Sequence, residues 1–266
     1  KYDTNLNIIT QKSLGGIDND LFESVIESND GGYIAVGAQS SDSQGNTDAL
    51  IVKYDTNLNI ITQKSLGGID SNQYISVIES NDGGYIAVGG RNLDSQGNGS
   101  VLIVKYDTNL NVITQKSLNG GVFVDQGYSS IIQINNGRYV AIGIQDNTDA
   151  LIVEYDSNIN VVAQKSLGGG DFELFETVIP ESIGNFIAVY TEDGGSTSIS
   201  IIPDTINLLN GTLTNHPSLS WTTPSFTETT PSLTETTPVL TESTPSLVET
   251  TPSLTAATPI LIQITR

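Results

Sequence analysis

A single histidine, ten lysines and arginines, thirty carboxylates and no cysteine are the groups from which this 266-residue chain would have to build catalysis or metal binding. The histidine, His216, has no second histidine or any cysteine to share a metal or a proton relay with, and it reads as a connecting residue. Carboxylate pairs such as Asp18 with Asp20, Asp171 with Glu173, and Glu192 with Asp193 have the residue types of a glycoside-hydrolysing dyad. Most lie among glycines, where Asp bonds to nearby amides, so they read as turn carboxylates. Three arginines clustered together would suit an anionic sugar, but Arg91, Arg138 and Arg266 are widely separated along the chain. Two loops, Asp42-Ser43-Gln44-Gly45-Asn46-Thr47-Asp48 and Asp94-Ser95-Gln96-Gly97-Asn98, hold hard oxygen ligands at close spacing, which makes Ca²⁺ the one cofactor the sequence admits. Neither follows the EF-hand order, and hydrogen-bonded Asx turns account for them better. Gly15-Gly16 and its copies lack the Gly-Lys-Ser/Thr of a phosphate loop. Asn98-Gly99-Ser100 and Asn210-Gly211-Thr212 match the short acceptor pattern for glycosylation. The expectation is therefore no catalytic, cofactor-binding or metal-ligating set.

Composition narrows the partners. The formal charge of −20 repels nucleic acid and anionic membrane surfaces. No apolar run approaches the ~18 residues of a membrane span, and Lys1-Tyr2-Asp3 does not open a signal peptide. The absence of methionine suggests a processed or excised chain.

The elements that position these residues are repeats. Lys1-Tyr2-Asp3-Thr4-Asn5-Leu6-Asn7 returns at Lys53 to Asn59, at Lys105 to Asn111 and, more loosely, at Glu154 to Asn160. Four units follow: 1–52, 53–104, 105–153 and 154–202. A second landmark, Ser28-Asn29-Asp30-Gly31-Gly32-Tyr33-Ile34-Ala35-Val36-Gly37, recurs at Ser80 to Gly89 and in altered form later. Within a unit, apolar residues alternate and are interrupted every eight to twelve residues by turn chemistry, the signature of short antiparallel strands. The first unit predicts strands at Ile8 to Leu14, Phe22 to Ser28, Tyr33 to Gln39 and Ala49 to Tyr54. Their centres predict a core of Val25, Ile26, Ile34, Val36, Leu50 and Val52 with the counterparts Val77, Ile78, Ile86, Val88, Leu102 and Val104. No segment has the three-and-four apolar spacing of a helix, so the region is expected to be all-β.

Four strands in about fifty residues is the arithmetic of a β-propeller blade. The Asp-Gly-Gly-Tyr-Ile-Ala-Val-Gly, Ala-Leu-Ile-Val-Lys-Tyr-Asp and Gln-Lys-Ser-Leu-Gly-Gly segments resemble a propeller-type repeat of bacterial extracellular and surface proteins. The resemblance spans residues 1 to 202. It implies four tandem four-stranded antiparallel units, β-propeller-like, outside the cell, and it brings no activity with it.

Residues 203–216 read as a linker, and 217–266 change character. Prolines at 217, 224, 231, 238, 245, 252 and 259 keep a strict period of seven, and Leu219, Phe226, Leu233, Leu240, Leu247, Leu254 and Leu261 share the register. Proline at that period excludes a coiled coil, and the odd period disfavours a continuous strand. An extended tail is expected, either a solvated Thr/Pro stalk or a chain docked on equivalent grooves of successive neighbours, most plausibly of neighbouring subunits. The function expected is a non-enzymatic extracellular or cell-surface protein for adhesion or display, with a protein or glycan as partner. The alternative is a self-assembling subunit of a fibre, sheath or lattice whose tail docks on its neighbours.

Overall fold

The computed structural model describes residues 1–15, 19–40, 46–68, 71–91, 99–119, 127–134, 137–145, 148–168, 173–180, 185–192, 196–203, 220–222, 227–229, 234–236 and 241–243. Those residues are almost entirely strand and turn. Strand β1 (Ser13–Gly15) precedes a first sheet of β2 (Leu21–Glu27), β3 (Tyr33–Ser40), β4 (Thr47–Tyr54) and β5 (Ile60–Gly67). The second sheet has β6 (Asn72–Glu79), β7 (Tyr85–Arg91), β8 (Ser100–Tyr106) and β9 (Val112–Asn119). The third has β10 (Gly127–Gln133), β11 (Tyr139–Gln145), β12 (Asp149–Tyr155) and β13 (Val161–Gly168). The fourth has β14 (Glu173–Pro180), β15 (Asn185–Glu192) and β16 (Ser196–Pro203). Each is an antiparallel meander in chain order. A sheet thus gathers most of one sequence unit and the first strand of the next, because the Lys-Tyr-Asp landmark lies at the end of a third strand rather than at a sheet boundary.

Turn chemistry fixes each meander. In the first hairpin Gly31 takes φ +84°, and its equivalents Gly83 and Gly137 do likewise, a conformation that suits glycine. A bulge in the first strand of each of the first three sheets sits opposite Gly37, Gly89 or Gly143. A Cβ on Gly89 would lie 2.1 Å from the Gln73 carbonyl oxygen, so only glycine lets the bulged strand come so close.

The sheets stack in series. Ile34, Val36, Ile51 and Leu66 of the first face Tyr74, Val77, Tyr85 and Leu102 of the second. Ile86, Val88, Ile103 and Leu118 face Tyr128, Ile131, Leu151 and Tyr155 of the third. Val140, Ile142 and Ile152 face Phe175, Val178 and Phe186 of the fourth. Each strand has one alternating set for the sheet before it and one for the sheet after, which is why the apolar runs look continuous in sequence. The expected core is buried apart from Ile26 and Ile78, which are half-buried, and Val25. Val25 is 64% exposed, whereas its counterpart Val77 is 2% exposed beneath the first sheet.

Candidate functional site

The first candidate surface is the row of acidic turns that joins the third and fourth strands of each repeat. Asp55 Oδ1 accepts the amides of Asn57 and Asn59, both at 2.8 Å, and its Oδ2 accepts Asn59 Nδ2 at 2.9 Å. Asp3, Asp107 and Asp156 repeat the pattern with Asn5 and Asn7, Asn109 and Asn111, and Asn158 and Asn160. These bonds hold the Asp3 and Asp55 carboxyls below the usual range, the asparagine side chain being the largest influence. At Asp107 and Asp156 desolvation is the largest influence and acts upward, but the asparagine bonds together outweigh it. Clamping the turn also forces Leu6, Leu58, Leu110 and Ile159 to positive φ, between 56° and 64°. Leu110 and Ile159 are then fully buried between sheets. These carboxylates tie down the backbone of their own turns.

A second polar set bridges neighbouring sheets. Lys53 Nζ meets Asp30 at 2.7 Å and donates to the Thr108 carbonyl of the second sheet at 3.2 Å. Lys105 meets Asp82 at 2.6 Å and donates to Ser157 O of the third sheet at 2.8 Å. In the third repeat the charges are reversed, with Arg138 on Glu154 at 2.7 Å. Lys105, with the Ser80 hydroxyl, holds the Asp82 carboxyl at about 2. Burial pulls the Lys53 ammonium down, and Asp30 and Tyr85 more than restore it. Ser28 and Tyr85 share a hydrogen bond of 2.7 Å across the first interface.

The residues singled out for chemistry do not converge. Asp20 receives the Ser40 amide at 3.1 Å, Glu173 is buried with its amide on Thr148 O, and Arg138 is paired with Glu154. Arg91 and Glu192 lie in β7 and β15. His216, Asp18, Asp171, Asp193, Arg266, both glycosylation asparagines and all but Asn46, Thr47 and Asp48 of the two calcium-type loops lie outside the described residues. Among the described residues no group of three His, Cys, Asp or Glu could hold a metal ion, and no helix is long and apolar enough to cross a membrane.

The built feature is an edge ladder. Four short strands from the Pro-periodic region, β17 (Ser220–Thr222), β18 (Thr227–Thr229), β19 (Thr234–Thr236) and β20 (Thr241–Ser243), add antiparallel to β13, β9, β5 and β1. The order is reversed: as the chain advances by seven residues, its seat moves back by one repeat. The register is the same at all four. Trp221, Glu228, Glu235 and Glu242 stand opposite Leu167, Leu118, Leu66 and Leu14, the leucines of the repeated Lys-Ser-Leu motif. Each rung is a Ser/Thr-rich triplet clear of proline, since a strand that adds to an edge needs its amides and favours β-branched residues. The four residues between rungs can reach at most roughly 14 Å, and packed sheets lie about 10 Å apart, so a period of seven fits one sheet per step.

The signal for this ladder is the coincidence of two periods, from which the sequence leaves open both a solvated stalk and a chain docked on neighbouring subunits. Leu219, Phe226, Leu233 and Leu240, the expected contacts, lie outside the described residues. The rungs pair instead through the triplets that follow each of them, and they pair with the chain's own sheets.

No family model and no curated protein matches the chain. Among solved structures it is similar to one titled "Crystal structure of the eukaryotic initiation factor", at 10% identity and a TM-score of 0.29, over 78% of this chain and 68% of that one.

Proposed function

We propose that the chain is a non-enzymatic extracellular or cell-surface protein in which a β-propeller-like stack of repeats is locked by its own Thr/Pro-rich extended tail and serves adhesion or display of a protein or glycan ligand. The observation that carries this reading is the use made of the carboxylates: Asp3, Asp55, Asp107 and Asp156 each accept three bonds from their own turn, and Asp30 and Asp82 hold lysines. A reacting acid needs a partner and an opening, and these acids stabilise backbone and inter-sheet contacts. The tail supports the reading too, because rungs added to the edges of the first three sheets and of β1 suit a domain exposed to shear and proteases. Purified protein on a glycan array, with mass spectrometry of the bound sugars, tests it. Retention of intact glycan supports display, whereas product release abolished by one Asp or Glu substitution refutes it.

A self-assembling subunit is the second reading. It is favoured by one observation, the exposure of Phe22 and Val25 on the first sheet, whose equivalents in the later sheets are buried.

A further inference from the structure

The edges that carry the rungs repeat one seat. Gln-Lys-Ser-Leu occupies residues 11–14, 63–66, 115–118 and 164–167, followed by Gly15, Gly67, Asn119 and Gly168. The rungs are nearly as uniform. Thr227-Glu228-Thr229, Thr234-Glu235-Thr236 and Thr241-Glu242-Ser243 each set Glu opposite the seat leucine and Thr or Ser opposite the seat serine. Ser220-Trp221-Thr222 differs, with the chain's one tryptophan opposite Leu167. We infer that any of these triplets fits any seat, and that Trp221 indexes the ladder by fixing which step lies on which sheet.

Three observations carry the inference. First, in strand addition the main chain supplies affinity and the side chains choose the position. Here three rungs out of four present the same side chains to the same seat sequence, so they cannot tell one sheet from the next.

Second, a slip by one whole step loses no rung. If the tail advances by seven residues, Thr227 to Thr229 comes to β13, Thr234 to Thr236 to β9, Thr241 to Ser243 to β5, and the following triplet, Val248-Glu249-Thr250, to β1. That triplet has the same central Glu, is β-branched at both ends, and precedes Thr251-Pro252 just as the rungs precede Thr223-Pro224, Thr230-Pro231, Thr237-Pro238 and Thr244-Pro245. All the seats are filled in both registers. The connection from β16 to the first rung only lengthens, at a cost that rises with the logarithm of its length. A slip the other way shortens that connection and brings Leu213-Thr214-Asn215 to β13, with asparagine in a strand position that disfavours it.

Third, the one exchange between the two registers is a difference in chemistry. The observed register holds the Trp221 triplet and leaves Val248 to Thr250 out, and the slipped register does the reverse. Tryptophan favours strands and has a large apolar surface to set opposite a leucine, whereas glutamate has neither. The register that keeps Trp221 in the ladder is the one observed.

The test uses the full-length chain, which has no cysteine of its own, carrying Ser117→Cys with Thr236→Cys. These positions are one step apart in the observed register and directly opposed after the slip. Dilute protein is oxidised mildly, and disulfides within one chain are timed by mass spectrometry. With Trp221 present the one-step pair is expected to stay reduced while the matched pair Ser117→Cys with Thr229→Cys oxidises. Trp221→Thr keeps a strand-forming residue in the rung and is expected to speed the one-step pair by about tenfold or more and to slow the matched pair. Adding Val248→Pro/Glu249→Pro, which strips two amides from the incoming triplet, is expected to return the one-step pair to its rate with Trp221. A Trp221→Thr chain in which the matched pair still oxidises and the one-step pair stays reduced overturns the inference, because the register is then set elsewhere. Loss of both disulfides overturns it too, because Trp221 then holds the ladder together rather than indexing it. A one-step disulfide that survives Val248→Pro/Glu249→Pro overturns the exchange of one rung for another.

Discussion

Leu110 offers a sharp test of how turn and stack are coupled. It sits at φ +62° in the Asp107 turn and is fully buried between the first and second sheets. Leu110→Ala removes the buried methyls and keeps the left-handed backbone, so it should cost about 3 to 5 kcal/mol. Leu110→Gly loses the same packing but relieves about 1 to 2 kcal/mol of left-handed strain, against about 0.5 to 1 kcal/mol of extra unfolded-state entropy. The glycine variant should therefore match the alanine variant or exceed it in stability by up to about 1.5 kcal/mol, the reverse of their usual order inside an element. Urea unfolding read by far-ultraviolet circular dichroism supplies the difference, with comparable slopes required in both variants. Fluorescence of Trp221, the only tryptophan and part of a rung, reports separately whether the ladder has opened first. Glycine less stable than alanine by more than about 1 kcal/mol, or both within about 0.5 kcal/mol of wild type, would refute the argument.

Gly89→Ala should destabilise by about 2 to 3 kcal/mol or more in the same assay, because its Cβ would meet the Gln73 backbone of the bulge at 2.1 Å. The Asp82 carboxyl, held at about 2 against an ordinary 3.8, contributes stability that is full above pH 4 and is lost as pH falls towards 2. With Asp82 half exposed, the contribution is no more than about 1 kcal/mol, and Asp82→Asn should flatten that part of an acid-unfolding curve. Deleting residues 230–236, one whole step, should keep the Trp221 emission and protease resistance of the ladder better than deleting Thr230 alone, since only the whole step preserves register for the rungs beyond it.

Much of the fold is legible in the sequence because the strand period and the turn residues agree with one another: the strands expected at Tyr33 to Gln39 and Ala49 to Tyr54 fall within Tyr33–Ser40 and Thr47–Tyr54, and the Asp30-Gly31-Gly32 hairpin lies between the first two strands of the sheet. What escapes is whatever depends on a neighbour. Val25 and Val77 are the same residue in the same motif, and Val77 is core beneath the first sheet whereas Val25 is exposed. Ile8 to Leu14 reads as a full strand, and its exact copy forms one beside β4, whereas the first copy is strand at Ser13–Gly15. The tail period is compatible with a stalk or with a docked chain. Which edge it meets follows only from placing Leu14, Leu66, Leu118 and Leu167 in equivalent outer strands.

The central claim, that the tail runs back over the sheets in one fixed register, is tested most directly by paired cysteines. Ser117→Cys with Thr229→Cys and Ser65→Cys with Thr236→Cys place thiols on residues that stand opposite each other in the second and first sheets. Directly opposed Cβ atoms lie about 4.5 to 5.5 Å apart, close enough for a disulfide with slight adjustment. After mild oxidation of dilute protein, mass spectrometry should find both matched disulfides within one chain. The mismatched pair Ser117→Cys with Thr236→Cys, one step out of place, should stay reduced. Equal oxidation of matched and mismatched pairs, or none in either, would contradict the ladder.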